Sequence, residues 1–143
     1  MQIKSTNPQR EVFRSSGAFT GPVCVAIADD SAFQRQLLRS LIAFRPDARL
    51  SIAAESGEEL LRELSNHNEM VHVCILDMEM GGVTGLTAAA IIHFKFPEMK
   101  IYLYTASELD IWSDVLREAG VLEVFSKGET SLMLSTILDG HVS

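Results

Sequence analysis

Residues 23–31 read Val23-Cys24-Val25-Ala26-Ile27-Ala28-Asp29-Asp30-Ser31. The first six residues are all apolar and three of them are β-branched, which predicts a short strand that is buried on both faces. Two carboxylates follow, and then a serine whose hydroxyl oxygen can accept an N–H group from the first turn of a helix. This stretch therefore indicates a buried strand, an acidic loop and a helix in direct succession.

Four more apolar runs of similar length follow along the chain. We predict strands at Val23–Ala28 and at residues 50–54, 72–76, 101–104 and 121–125. Longer stretches with a period near 3.6 residues separate them. This alternation predicts an α/β domain, a doubly wound parallel sheet of five strands covered by five helices.

Apolar side chains that recur every four residues predict the face that each helix turns toward the sheet. These side chains are Phe33, Leu37 and Leu41, then Leu60 and Leu64, then Trp112 and Leu116. Short side chains with an oxygen atom mark the expected helix starts at Ser31, Ser56, Thr84 and Ser107, and Gly120 marks a helix end.

The overall composition fits one soluble globular domain. The chain has 143 residues, of which 47% are hydrophobic and 22% charged, and residues 1–21 read as a flexible leader before a domain at residues 22–143. The net charge of −7 argues against unaided binding to nucleic acid, which depends on clustered Lys and Arg. Cys24 and Cys74 lie in apolar runs and are expected to be buried, unpaired core residues.

No apolar run approaches the roughly 20 residues that a membrane-spanning helix needs. The first 21 residues also lack the apolar centre of a secretion signal. We therefore expect a cytoplasmic protein without a membrane contact.

Polar residues follow four of the five predicted strands. Asp29 and Asp30 follow the first strand, Asp77 the third, Thr105 the fourth and Lys127 the fifth. Since ligands of an open parallel sheet bind beyond the carboxyl ends of its strands, we expect these side chains to share one site. Three adjacent carboxylates repel one another unless a cation lies among them, and Mg²⁺ is the hard cation that suits such oxygen ligands.

This constellation can also perform phosphoryl transfer to a carboxylate. Lys127 can place a fixed positive charge on a phosphoryl group, and the Thr105 hydroxyl can donate a hydrogen bond to another phosphoryl oxygen.

Four segments closely resemble response regulator receiver domains of two-component signalling, in particular those that carry helix-turn-helix output domains. The segments are residues 25–31, 74–80, 102–106 and 125–127. The resemblance implies a flavodoxin-like fold with strand order 2-1-3-4-5. It also implies that Asp77 is the phosphoacceptor, that Asp29 and Asp30 bind Mg²⁺ with Asp77 and the backbone carbonyl of Glu79, and that Lys127 and Thr105 assist.

The resemblance further implies a histidine kinase or phosphotransfer protein as the phosphate donor, and a switched protein contact, including a possible homodimer, as the output. On this interpretation the domain is a phosphoacceptor switch and not an enzyme acting on other substrates. Four positions depart from the common pattern: Gly81 and Gly128 replace prolines, Val124 replaces an aromatic switch residue, and Glu79 adds an acid beside the site.

These departures leave an alternative open, a degenerate receiver that acts as a phosphorylation-independent interaction module. A small phosphohydrolase with an aspartyl nucleophile ranks last, because 143 residues leave little room for a substrate cap.

Overall fold

The structure is a computed structural model that describes residues 21–107 and 113–142. Its sheet has five parallel strands: β1 Val23–Ala28, β2 Ala48–Ala54, β3 Val73–Asp77, β4 Lys100–Thr105 and β5 Val121–Ser126. They are arranged in the order β2-β1-β3-β4-β5. Both the doubly wound α/β class and the strand order 2-1-3-4-5 are thereby confirmed.

Five helices connect and cover the strands. They are α1 Ala32–Ala43, α2 Gly57–Asn66, α3 Gly85–Lys95, α4 Ser113–Glu118 and α5 Thr130–Val142, and a single 3₁₀ turn, Lys127–Glu129, precedes the last one. None of the described helices combines the length and the hydropathy that crossing a bilayer requires. The predicted leader, residues 1–21, lies outside the described residues except for Gly21.

The core has two parts, one on each face of the sheet. On one face, Leu38 and Ile42 of α1 pack with Met133 and Ile137 of α5. On the other face, α2 and α3 contribute buried side chains such as Leu60 and Ile92. All residues of β1 and β3 are buried, which is why these strands read as continuous apolar runs.

Three of the predicted helix starts are confirmed. Ser31, Ser56 and Thr84 each accept an N–H group from the third residue of the helix that follows. The predicted end at Gly120 is also confirmed, because α4 stops at Glu118 and Gly120 has a φ of +80° that favours glycine. The start predicted at Ser107 leads into residues 108–112, which lie outside the described residues.

The predicted inward face of α1 is wrong at Phe33. Its side chain is 76% exposed, whereas Leu38 and Ile42 are the fully buried residues of this helix. Apolar residues of α1 form two stripes with the same spacing, and the one containing Leu38 faces the sheet. The Trp112 position of the α4 stripe lies outside the described residues.

The predicted strands are confirmed with small changes in length. Both β2 and β4 begin earlier than predicted, and β3 is displaced by one residue so that it includes Asp77. Cys24 and Cys74 are buried and unpaired, as expected. The polar residues at the strand ends therefore lie at the edge of the sheet that the sequence predicts.

Candidate functional site

The carboxyl ends of four strands bring the predicted polar residues to one edge of the sheet. Asp29 follows β1 directly, Asp77 is the last residue of β3, Thr105 is the last residue of β4 and Lys127 follows β5. Parallel strands place these positions side by side, because all of them run in the same direction. The edge therefore collects side chains that lie up to 98 residues apart in the sequence.

Three carboxylates form the centre of this edge. Asp29, Asp30 and Asp77 each offer an oxygen atom, and these three atoms lie within 4.8 Å of one another. Asp29 is 0% exposed and Asp77 is 1% exposed, whereas Asp30 faces solvent. Two buried carboxylates this close repel each other strongly, so the fold must supply positive charge or hydrogen-bond donors to hold them.

Lys127 supplies the positive charge. Its Nζ lies 3.0 Å from Asp29 Oδ2 and 3.0 Å from Asp77 Oδ2, and its side chain is only 14% exposed. Burial alone would lower the pKa of this lysine, but the hydrogen bonds with the two carboxylates outweigh burial and raise the pKa above its ordinary value. Lys127 therefore stays protonated and bridges the two aspartates.

Asp29 is held by a hydrogen bond at each side-chain oxygen. The backbone N–H of Ser31 donates to Oδ1 at 2.8 Å, and the hydroxyl of Tyr104 donates to Oδ2. The Arg35 side chain donates to the Asp29 backbone carbonyl at 2.9 Å. Asp29 is therefore fixed through its backbone and its carboxylate.

The Asp77 carboxylate has fewer hydrogen-bond donors than that of Asp29. Its Oδ1 accepts the backbone N–H of Glu79 at 3.0 Å, and its Oδ2 faces Lys127. Burial raises the pKa of Asp77, and the charge of Asp29 raises it further, although the Glu79 N–H and Lys127 both oppose the increase. Burial thus destabilises the charged form of the Asp77 carboxyl, and the Glu79 N–H and Lys127 offset part of that effect.

A small residue makes room for the Asp77 backbone. A Cβ atom added at Gly85 would lie 2.3 Å from the Asp77 carbonyl oxygen and 2.9 Å from Met78 Cα. The first turn of α3 can therefore approach the loop after β3 only because residue 85 is a glycine. This close approach fixes the position at which Asp77 leaves the strand.

Thr105 takes part in a chain of hydrogen bonds over the site. Its Oγ1 accepts the backbone N–H of Ser107 at 3.2 Å. The Ser107 hydroxyl in turn donates to Glu79 Oε2 at 2.8 Å, which joins the loop after β4 to the loop after β3. Thr105 is buried at 6% exposure, in line with its predicted place at the strand end.

The positions that depart from the receiver pattern have clear local surroundings. Val124 is half-buried and packs against the α2 and α3 side of the core. The Gly128 N–H donates to Ser126 Oγ at 3.1 Å, a bond that a proline could not form. Gly81 is exposed, and an added Cβ there would meet no atom within 4 Å.

Several contacts of the site were not predicted from the sequence. Tyr104, Arg35, Ser107 and Gly85 hold Asp29, Glu79 and Asp77 in place. Alternation along β4 carries a partial signal, because Tyr104 must point to the face opposite Thr105. No spacing in the sequence indicates that its hydroxyl reaches Asp29.

The donor set fits a hard divalent cation such as Mg²⁺. Asp29, Asp30 and Asp77 provide only oxygen ligands, and the single positive charge of Lys127 leaves the group with net negative charge. Asp30 is exposed, so one side of the group remains open to the waters that Mg²⁺ retains and to a phosphate oxygen.

Comparison with known proteins places this chain in a family. Residues 25–138 match the sequence model of the response regulator receiver domain, and the chain therefore belongs to that family. It is a receiver domain of two-component signalling. Among solved structures, the response regulator domain of Thermotoga maritima CheB has a TM-score of 0.69 at 22% identity, covering 85% of this chain and 93% of that one.

Curated relatives include enzymes and a regulator. A protein-glutamate methylesterase/protein-glutamine glutaminase of Nitratidesulfovibrio vulgaris is 36% identical over 75 residues, which are 52% of this chain and 20% of that protein. The response regulator GacA of Pseudomonas protegens is 29% identical over 104 residues, which are 73% of this chain and 48% of GacA. The chain thus spans between a fifth and a half of the length of these two relatives.

Proposed function

We propose that this receiver domain is a switch that a histidine kinase or a phosphotransfer protein phosphorylates on Asp77. The observation that carries the proposal is the buried pair of Asp29 and Asp77, bridged by Lys127, with Asp30 beside them. This arrangement combines an acceptor carboxylate, further metal ligands and a fixed cation in one place. An ordinary surface cluster of acids would not be buried or bridged in this way.

In the proposed reaction, a carboxylate oxygen of Asp77 attacks the phosphorus of a phosphohistidine. A P–O bond forms, the P–N bond breaks, and the donor histidine leaves with its bonding electrons and takes up a proton. Small phosphoryl donors such as phosphoramidate and acetyl phosphate can replace the protein, because the receiver supplies the acceptor and its surroundings itself.

A bound Mg²⁺ would neutralise charge on the transferred phosphoryl group. Asp29, Asp30 and Asp77 are the residues that would hold it, with the backbone carbonyl of Glu79 as a proposed further ligand. Lys127 contacts Asp77 Oδ2 at 3.0 Å and is therefore close enough to pair with an oxygen of a phosphoryl group attached to Asp77. Its raised pKa ensures that it carries its charge at neutral pH.

Thr105 is proposed to report the phosphorylated state. Its hydroxyl oxygen accepts the backbone N–H of Ser107. The same hydroxyl lies 3.4 Å from Ser107 Oγ and donates its proton in that long contact, because the Ser107 proton goes to Glu79. A phosphoryl group on Asp77 would attract that proton and draw the end of β4 toward β3. The loop after β4 would then move, since Ser107 is bonded to both Thr105 and Glu79.

The proposed output is a change in a protein contact near the edge strand β5. Helices α4 and α5 both pack on this strand. Three large apolar side chains remain exposed there: Val115 at 41%, Leu122 at 59% and Leu132 at 57%. A target protein or a second copy of this chain could cover them, and we propose no direct contact with nucleic acid and no catalysis on other substrates by this domain.

A phosphorylation assay tests the proposal. The protein is incubated with phosphoramidate and MgCl₂, and its intact mass is measured over time. The wild type should gain the mass of one phosphoryl group, and Asp77→Asn should gain none. Asp114→Asn is a matched control, because that aspartate is exposed on α4 and should leave the uptake unchanged.

The outcome of this assay separates the switch from the second candidate, a degenerate receiver used only for binding. Val124, Gly81 and the hydrogen bond that the Ser107 hydroxyl donates to Glu79 favour that candidate. It predicts no phosphate uptake and no response to Mg²⁺. Uptake by Asp77→Asn at the wild-type rate would instead remove Asp77 from the acceptor role.

A further inference from the structure

Tyr104 is a fully buried tyrosine directly beneath the acidic site. It is 0% exposed and precedes Thr105 at the end of β4. In the sheet it is paired with Asp77 of β3 on one side and with Phe125 of β5 on the other. Its side chain points to the face covered by α1 and α5, opposite to that of Thr105.

The tyrosine contacts two members of the site from that position. Its hydroxyl donates a hydrogen bond to Asp29 Oδ2, although Asp29 follows β1 and β3 lies between β1 and β4. The centre of its ring lies 5.0 Å from Lys127 Nζ, within the range of a cation–π contact. Tyr104 therefore spans the width of β3 and supports Asp29 and Lys127 together.

A count of lone pairs shows what the hydroxyl does to Asp29. An ionised carboxylate has about four acceptor positions, two on each oxygen. Both positions of Asp29 Oδ2 are used, one by Tyr104 and one by Lys127. Oδ1 accepts the N–H of Ser31, and the residues that the structure describes leave one position of the carboxylate unused.

We propose that Tyr104 is a positioning residue that fixes the Asp29 carboxylate so that its one unused acceptor position, on Oδ1, is the one available to a divalent cation. This inference deepens the proposed function and rests on the same acidic site. It assigns no catalytic step to Tyr104, which acts through Asp29. Loss of the hydroxyl leaves the carboxylate held by the Ser31 N–H and Lys127, so that it turns more easily and the cation has to order it on binding.

The experiment compares Tyr104→Phe with Tyr102→Phe. Tyr102 is a matched control because it lies on the same strand and the same face, with its ring against Phe125 and away from Asp29. Mg²⁺ affinity is measured by titration calorimetry, and unfolding by urea in EDTA is measured in parallel. Tyr104→Phe should weaken Mg²⁺ binding about tenfold, as is typical when a ligand loses its supporting hydrogen bond, and Tyr102→Phe should leave the affinity unchanged.

A second readout distinguishes positioning from general stabilisation. In the phosphoramidate assay, Tyr104→Phe should need about tenfold more Mg²⁺ for half-maximal rate but should reach nearly the wild-type rate when Mg²⁺ is saturating. A mutation that only loosened the fold would lower the urea midpoint without shifting this Mg²⁺ dependence.

Wild-type Mg²⁺ affinity in Tyr104→Phe overturns the inference, as does a failure of the wild type to bind Mg²⁺ at all. The proposed function is judged separately by phosphate uptake on Asp77. A wild type that binds Mg²⁺ but takes up no phosphate, with weakened binding in Tyr104→Phe, supports the role of Tyr104 while the phosphorylation proposal fails.

Discussion

Replacing Lys127 by methionine removes the charge that joins Asp29 to Asp77 while keeping much of the side-chain length. Both salt bridges are 3.0 Å long, and the lysine side chain is 14% exposed. Removing one partner of a buried ion pair costs about 3–5 kcal/mol, because the remaining charge is left without compensation. Both carboxylates retain other donors, so we expect a cost near the lower end, about 3 kcal/mol.

The cost of protonating a carboxylate sets an upper bound on the loss of stability in Lys127→Met. An unpaired carboxylate can avoid its charge by binding a proton, which from an ordinary pKa near 3.9 costs about 4 kcal/mol at pH 7. The pKa of Asp77 is already raised, mainly by burial, so the actual cost of protonating it is lower. A loss of about 3 kcal/mol corresponds to a decrease in melting temperature of about 10 °C for a domain of this size.

The assay is urea denaturation of the wild type, Lys127→Met and Lys95→Met, each in EDTA and in saturating MgCl₂. Lys95 is an exposed lysine at the end of α3 and should have little effect. Because a cation can replace the missing charge, Mg²⁺ should stabilise Lys127→Met more than the wild type. A cost below about 1 kcal/mol in EDTA, the value of a surface pair, would refute the reasoning, and so would equal stabilisation by Mg²⁺.

Two further predictions concern the close packing at Gly85 and the half-buried histidine that precedes β3, His72. Gly85→Ala places a Cβ 2.3 Å from the Asp77 carbonyl oxygen, and its free energy of unfolding in urea should fall by about 1–3 kcal/mol. Gly81→Ala is the control and should be nearly neutral, because a Cβ at that position meets no atom within 4 Å. Equal losses in the two variants would contradict the packing argument. His72 accepts the Cys24 N–H at Nδ1, and burial lowers the pKa of this histidine. The unfolded chain therefore binds more protons than the folded one, and the free energy of unfolding should fall as the pH drops through about 6.5. Unfolding measured at several pH values tests this, and the decrease should be smaller in His72→Gln.

The sheet was predictable because of how it is buried. Strands covered on both faces are mostly apolar, so both ends of the strand Val23–Ala28 could be predicted from the sequence. The polar residues were predictable as a group for a related reason, since parallel strands send their carboxyl ends to one edge. Asp29, Asp77 and Lys127 meet there as expected.

Features that depend on the orientation of one element against another could not be predicted. The helix α1 contains two apolar stripes of equal spacing, and only its packing on the sheet decides that Leu38 is buried and Phe33 exposed. The hydrogen bond from Tyr104 to Asp29 depends on the width of an intervening strand. Neither property is encoded in local spacing.

The order of the strands also determines when this protein can complete its sheet during translation. One edge of β1 pairs with β2, but the other pairs with β3, which is made about fifty residues later. At roughly 5–20 residues per second, that edge of a wholly apolar strand waits several seconds for its partner to be synthesised. A nascent chain of this kind exposes an unpaired, aggregation-prone strand edge on the ribosome. The yield of folded protein in cells should therefore depend on chaperones that cover this edge until β3 is made.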